Sequence, residues 1–396
     1  MMNLKTRILI LSLLLLGLTA FCCILTIQAY HSRLPLVGRL FYGVGSAASA
    51  GESEGTTPMY TGLKPGIDQP QGVYYKKRVL VLMYHEVEPK PSDPSALPAE
   101  KLERQLELMK ANNFHWITMD QYRNFVLHGD PVPNNAVLMT FDDGYESFYQ
   151  YAYPILRKYG VPATSFLIVG TVGNPRHPGV PKLNWDQVKE MSKHGISFYN
   201  HSYDSHLYEP TDAKGRHLIP ALTGRIYLKD KGRRETEKEY EQRVTADLEK
   251  ANAVLERELG AQNHVLAFPY GAFSKPLLDI CAKLGIDVTL TVKEGLDKPG
   301  QRNGFRLNAG GTQNNPELQL ALMKQASKRL GHAHFDRSPE QKREALWTLA
   351  AMAVVAALLA EAARRLLREK RSPGPPSQGP GASFPPAPGT GTPAIP

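Results

Sequence analysis

Ala136-Val-Leu-Met-Thr-Phe-Asp-Asp-Gly144 is an apolar run that ends on two carboxylates and a glycine. A run of that length, too short for a typical helix and bounded by turn formers, reads as a buried strand running into a tight turn. The same arrangement recurs three times. Val79 to Met83 ends in Tyr84-His85, Ile196 to Asn200 leads into His201 and His206, and Val265 to Phe268 leads into Pro269-Tyr270-Gly271. Four strand ends carrying reactive or tight-turn residues predict an α/β fold of the barrel type, whose chemistry gathers at the C-terminal ends of its strands.

The residues at those ends define a chemistry. Asp142 and Asp143 with His201 and His206 offer a divalent cation two imidazoles and a carboxylate, with a second carboxylate left free. A Lewis acid beside a proton acceptor is the minimum equipment for metal-assisted hydrolysis. Neutral imidazoles and one carboxylate suit Zn2+, with a coordination position left open for water. Taken singly, Asp-Asp-Gly is an ordinary solvated turn and two histidines are surface decoration; their shared position at strand ends is what joins them. On a helix, residues five apart would point about 140° away from each other, so His201 and His206 are expected on a loop.

Thr140-Phe-Asp-Asp-Gly144 and Phe268-Pro-Tyr-Gly271 resemble the first and third motifs of the polysaccharide deacetylases, the NodB-like carbohydrate esterases of family 4. The resemblance covers roughly residues 76 to 312. It implies a distorted or incomplete (β/α) barrel of the NodB-homology type, and a hydrolase that removes acetyl groups from an N-acetylated polysaccharide. It also implies Asp143, His201 and His206 as metal ligands and Asp142 as general base. Oxyanion or substrate contacts fall at Pro269 and Tyr270, the latter through its backbone N–H. The metal expected is Zn2+, with Ni2+, Co2+ and Fe2+ as alternatives. Most of the family spaces its two histidines four apart. The spacing of five here is similar to the biofilm subgroup acting on poly-β-1,6-N-acetylglucosamine, as are Met83-Tyr-His-Glu86, Leu183 to Met191 and the charged stretch Glu235 to Leu248. Phe305-Arg-Leu-Asn-Ala-Gly310 lacks the general-acid histidine that many members carry near the barrel's end, and the subgroup's opening Tyr-His motif implies His85 for that role. Peptidoglycan and chitin-type oligomers stay open as substrates, and a sugar-binding module without turnover stays open as a function. Glycoside hydrolysis is disfavoured, because adjacent residues at a strand end point in different directions and no partner carboxylate motif accompanies them.

The 396 residues accommodate one catalytic domain, expected at 76–330, with attachments. Amphipathic helices are expected at Ala99 to Asn112, Thr245 to Leu259 and Leu277 to Leu284. Ile8 to Ile27 is an apolar stretch of about twenty residues behind Lys5 and Arg7, long enough to span a bilayer. Its length and the lack of a small-residue cleavage site favour an uncleaved signal-anchor at 1–30. The N-terminus is then cytoplasmic, and the catalytic domain extracytoplasmic at the cell membrane. Residues 31–75, rich in Gly, Ser, Pro and Thr, read as a flexible linker. The segment 345–367 reads as a second transmembrane helix or a basic amphipathic helix on the membrane surface, and the Pro/Gly-rich tail 372–396 as disordered.

The formal charge of +9 does not by itself indicate nucleic acid. Much of the excess lies in the C-terminal flank and no nucleic-acid motif accompanies it, so anionic lipid or wall polymer is the expected counterpart. No dinucleotide or phosphate loop is present, and the sequence names no protein partner.

Overall fold

The computed structural model describes residues 60–335 and, beyond them, positions 355–358, 360, 361 and 364. The described residues 60–334 belong to one compact unit. The expected anchor at 1–30, the first part of the linker and the tail at 372–396 lie outside the described residues. So does most of 345–367, whose described positions are helical. Among the described residues no helix is long and apolar enough to cross a membrane.

Nine strands form one sheet: β1 (Val79–Tyr84), β2 (His115–Trp116), β3 (Ala136–Phe141), β4 (Ala163–Leu167), β5 (Ile196–Asn200), β6 (Val265–Ala267), β7 (Val288–Leu290), β8 (Asn303–Gly304) and β9 (Leu307–Asn308). Eight of them follow the order β8-β7-β6-β5-β4-β3-β1-β9, and β2 pairs with β3 beside that path. Every pairing in this sheet is parallel. The two edges belong to one extended segment. Asn303 and Gly304 pair with Thr289 and Leu290, while Leu307 and Asn308 pair with Leu82 and Met83. Phe305 and Arg306 therefore stand at the seam of an incomplete (β/α) barrel.

Parallel strands need crossovers, and helices supply them. They are α1 (Ala99–Ala111), α2 (Met119–His128), α3 (Tyr153–Tyr159), α4 (Trp185–Ser192), α5 (Glu237–Leu259), α6 (Lys275–Lys283) and α7 (Pro316–Lys324). β1 and β3 are buried on both faces, which is why they read as continuous apolar runs. Along β1, Leu80 and Leu82 join a core with Leu102 and Leu106 of α1, while Val79 and Val81 join one with Tyr122 and Phe125 of α2. The period of two thus divides this strand between two cores.

Two expectations differ from the structure. The helix expected from Thr245 begins at Glu237, because Thr236 and Glu239 form a capping box that starts it inside the charged stretch. Its buried stripe then runs Tyr240, Val244, Leu248, Ala251 and Leu255. Over 60–75, the described part of the linker expected at 31–75, the chain packs on the domain. Asn135 Oδ1 accepts from the Tyr74 backbone N–H at 2.7 Å, Asn112 Oδ1 accepts from Gln69 N–H at 2.8 Å, and Leu63 and Tyr75 are buried. Composition suggested a coil, but two asparagines on the domain satisfy this segment's backbone and hold it down.

Candidate metal centre

Each candidate group sits just past a strand end. After β3 the chain turns sharply, with Asp143 and Gly144 both left-handed at φ +72° and +66°. Asp is among the few residues that tolerate this conformation. At Gly144 a β-carbon would come within 2.8 Å of Leu167, so the glycine is required twice over. The turn is buried instead of solvated: Asp142 is 3% and Asp143 6% exposed. Lys182 Nζ donates to the Asp143 carbonyl at 3.2 Å while its ammonium lies 3.6 Å over the Tyr145 ring.

His201 follows β5 directly, and its loop carries His206, as the five-residue spacing required. His201 Nδ1 lies 2.8 Å from the Ala267 carbonyl. That carbonyl can only accept, so Nδ1 carries a proton and Nε2, which faces the aspartates, is the nitrogen left to bind a metal. Asp247, on α5, holds the rest of the loop. Its carboxylate accepts from the backbone N–H groups of Tyr203 and Asp204 at 3.0 and 2.9 Å and from Ser205 Oγ at 2.9 Å. Ser202 and Tyr270 are also left-handed, so three non-glycine residues around the centre carry backbone strain.

The three ligand atoms offered by Asp143, His201 and His206 lie within 4.8 Å of one another. His201 Nε2 and His206 Nε2 stand 3.4 and 3.3 Å from Asp143 Oδ1. Donors bound at 2.0–2.2 Å in a tetrahedral shell stand about 3.4 Å apart, so the separations fit one small cation. Asp143 Oδ1 is also buried with no hydrogen-bond partner, which a carboxylate does not tolerate without a positive charge. The donor set fits a borderline divalent ion.

Protonation agrees with that set. Burial alone would raise the Asp143 carboxyl, but the imidazoles of His201, His206 and His85 outweigh it and hold the group well below the usual carboxylate range. Burial and the neighbouring His201 push His206 down to about 4, leaving it neutral. His201 is pulled the other way: burial lowers it, but Asp142 and Asp143 prevail and raise it.

Asp142 takes no place in the triad. Arg306 Nη1 donates to its Oδ1 at 2.7 Å, while Oδ2 lies 3.9 Å from His201 Nε2. Burial pushes the Asp142 carboxyl up, and Arg306, His201 and His85 together bring it below its ordinary value. Arg306 is itself fully buried, with Nε donating to the Thr291 carbonyl at 2.7 Å. Sequence reasoning passed over it, since in Phe305-Arg-Leu an arginine between apolar residues reads as the outward position of an edge strand.

His85 follows β1, half-buried, and is close enough to act electrostatically on both Asp142 and Asp143. Pro269 is buried in the turn after β6, and Tyr270 projects beside His206 with ring centroids 4.5 Å apart. The structure therefore brings the expected residues of all four strand ends to one end of the sheet and adds Arg306 and Asp247 to them.

The polysaccharide deacetylase family model matches residues 129–289, which contain Asp142, Asp143, His201, His206, Pro269 and Tyr270. Over those residues the chain is similar to the polysaccharide deacetylases. A protein of Escherichia coli (strain K12) named poly-beta-1,6-N-acetyl-D-glucosamine N-deacetylase is 27% identical to it over 277 residues, covering 65% of this chain and 41% of the relative. The chain thus spans about two-fifths of that relative's length. A Staphylococcus aureus (strain MSSA476) protein of the same name is 25% identical over 254 residues, covering 60% of this chain and 80% of its own. The chain also matches the solved structure of a de-N-acetylase from Aggregatibacter actinomycetemcomitans. The TM-score is 0.56 at 24% identity, over 62% of this chain and 99% of that one, a likeness of fold.

Proposed function

We propose that the chain is a metal-dependent polysaccharide N-deacetylase acting on the acetamide of N-acetylglucosamine residues, with poly-β-1,6-N-acetylglucosamine as its polymer. The observation that carries the reading is the buried, unpartnered Asp143 Oδ1 between two imidazole nitrogens, beside a second ionised carboxylate that Arg306 keeps out of the triad. The polymer is inferred from the E. coli and S. aureus relatives of that name.

Asp143, His201 and His206 would hold the cation. When bound, a divalent ion such as Zn2+ supplies a Lewis acid that makes water a nucleophile near neutral pH. Asp142, ionised and with Oδ2 turned toward His201, takes the proton of the attacking water. The backbone N–H of Tyr270, on its strained turn beside Pro269, stabilises the developing oxyanion. His85 gives its proton to the leaving amine, so the products are acetate and a glucosamine residue. An ionised Asp142 locked to Arg306 is a poor proton donor, which argues against glycoside hydrolysis through the same pair. Ile8 to Ile27 supports a membrane-attached enzyme whose catalytic domain faces outward.

The test is acetate release by the detergent-solubilised full chain from β-1,6-linked N-acetylglucosamine oligomers, run beside β-1,4-linked oligomers and peptidoglycan fragments. Release from the β-1,6 series is expected. Release only from the others moves the substrate to chitin-type or wall polymer, and bound metal with no release from any leaves a sugar-binding module.

A further inference from the structure

We propose that the exposed rings of Tyr208 and Tyr270 form a stacking subsite for the hexose adjoining the one whose acetamide is hydrolysed, with Tyr208 as its positioning residue; this rests on the polysaccharide reading above. Four rings run outward from the metal centre in one row. The centroids are 4.9 Å apart for His201 and His206, 4.5 Å for His206 and Tyr270, and 4.4 Å for Tyr270 and Tyr208. Exposure rises along the row, from 2% at the His201 side chain and 19% at that of His206 to 37% at Tyr270 and 50% at Tyr208.

The end of the row is braced. Tyr270 OH donates to the His206 carbonyl at 3.3 Å, which ties the phenol to the ligand loop. Tyr208 begins a short antiparallel hairpin, Tyr208–Pro210 against Leu218–Pro220, whose register is fixed at three positions. Leu207, Leu218 and Val292 are also exposed, and Val292 packs against Gly271 so closely that a β-carbon there would come within 2.4 Å of it. Five of the ten large apolar side chains exposed among the described residues thus come from this hairpin and the residue before it, from Tyr270, and from Val292, which packs on the Tyr270 turn. Such concentration marks a contact surface.

A hexose suits this surface. Its axial C–H groups present an apolar face that packs on an aromatic ring, while its hydroxyls remain in water, and Tyr supplies such contact with little conformational entropy to lose. The covalent link to the next sugar carries the polymer along the row of rings. Tyr208 therefore selects polymer over monosaccharide without touching the reacting acetamide.

The full chain, wild type, Tyr208→Ala and Tyr208→Trp, would be titrated calorimetrically with β-1,6-linked N-acetylglucosamine oligomers and with free N-acetylglucosamine, acetate release being followed in parallel. Tyr208→Ala is expected to raise oligomer Kd and KM about tenfold with kcat held within about twofold, to leave the monosaccharide unaffected, and to be rescued by Tyr208→Trp. Unchanged oligomer affinity in Tyr208→Ala overturns the subsite, and if that variant has instead lost binding to phosphatidylglycerol vesicles the patch is a lipid contact. Equal losses on oligomer and monosaccharide, or no oligomer binding by wild type, also overturn it. Oligomer binding without acetate release counts against the deacetylase reading alone, and the subsite then stands or falls on Kd.

Discussion

Arg306 Nη1 donates to Asp142 Oδ1 at 2.7 Å across the seam of the sheet, with both side chains buried. The bond does two things. It keeps Asp142 ionised despite burial, and it fixes which oxygen is left to face the metal centre. Arg306→Gln is expected to lower kcat on the order of a hundredfold, the scale of a positioned general base, while bound metal is retained. Without the guanidinium the Asp142 carboxyl rises, so the acidic limb of the kcat/KM profile moves to higher pH. An unshifted limb with normal kcat would show that the pair only supports the fold, and a melting curve separates a misfolded variant.

Ligand and base should separate by metal content. Asp143→Ala and His206→Ala are expected to lose bound metal and activity together. Asp142→Asn is expected to keep the metal and lose rate alone, by about 10²- to 10⁴-fold. Elemental analysis of the purified variants decides the matter, and full metal retention by both ligand variants would sink the triad.

The barrel was legible because strands buried on both faces leave long apolar runs that only a strand of that length explains, as Ala136–Phe141 does. The triad was legible because its groups close such runs. What the sequence hid was placed by distant packing. Arg306 reads as an outward edge residue, and only the meeting of β8 and β9 in one segment turns it toward Asp142. Asp247 reads as one more acid in a charged stretch. Its role depends on α5 lying under a loop more than forty residues away. The packed segment 60–75 was hidden for the same reason, since its partners are Asn112 and Asn135 on the domain.

Asp247 holds no ligand atom yet fixes the loop that joins two of them. Asp247→Ala leaves two backbone N–H groups and Ser205 Oγ without their acceptor, so the His206 side should slacken. Metal affinity is expected to fall 10- to 100-fold, roughly the loss seen when outer partners of metal ligands are removed. Kd for zinc by chelator competition measures this. Affinity equal to wild type would confine Asp247 to general stability.

Metal binding should release one proton per ion at pH values below the raised His201 value and above about 4. His201 is raised above its ordinary value and exchanges its proton for the metal, whereas His206, at about 4, has already lost its own. As pH falls through the His201 value, log affinity should therefore drop with a slope of about one per pH unit, steepening only near pH 4. Zinc titrations at several pH values test this, and a slope of two near pH 6 would contradict it.

Asp297 offers a stability test away from the metal. It is fully buried, accepting from Tyr122 OH at 2.7 Å and from Phe305 N–H at 2.9 Å. Burial outweighs those two bonds and pushes its carboxyl up to about 8. In the unfolded chain the group titrates near 4, as carboxylates do. The folded state therefore binds the extra proton between those values, so its stabilising contribution is complete below about pH 4 and is lost as pH rises toward 8. The loss can reach about 1.4 kcal/mol per pH unit. Asp297→Asn keeps an acceptor for Phe305 N–H and an amide that can donate to Tyr122, without the ionisation. Urea unfolding of both proteins at pH 5 and pH 8 should show the variant gaining on wild type as pH rises, because titrations common to both cancel in the comparison. An offset of the same size at both pH values would mean that Asp297 is already ionised in the fold.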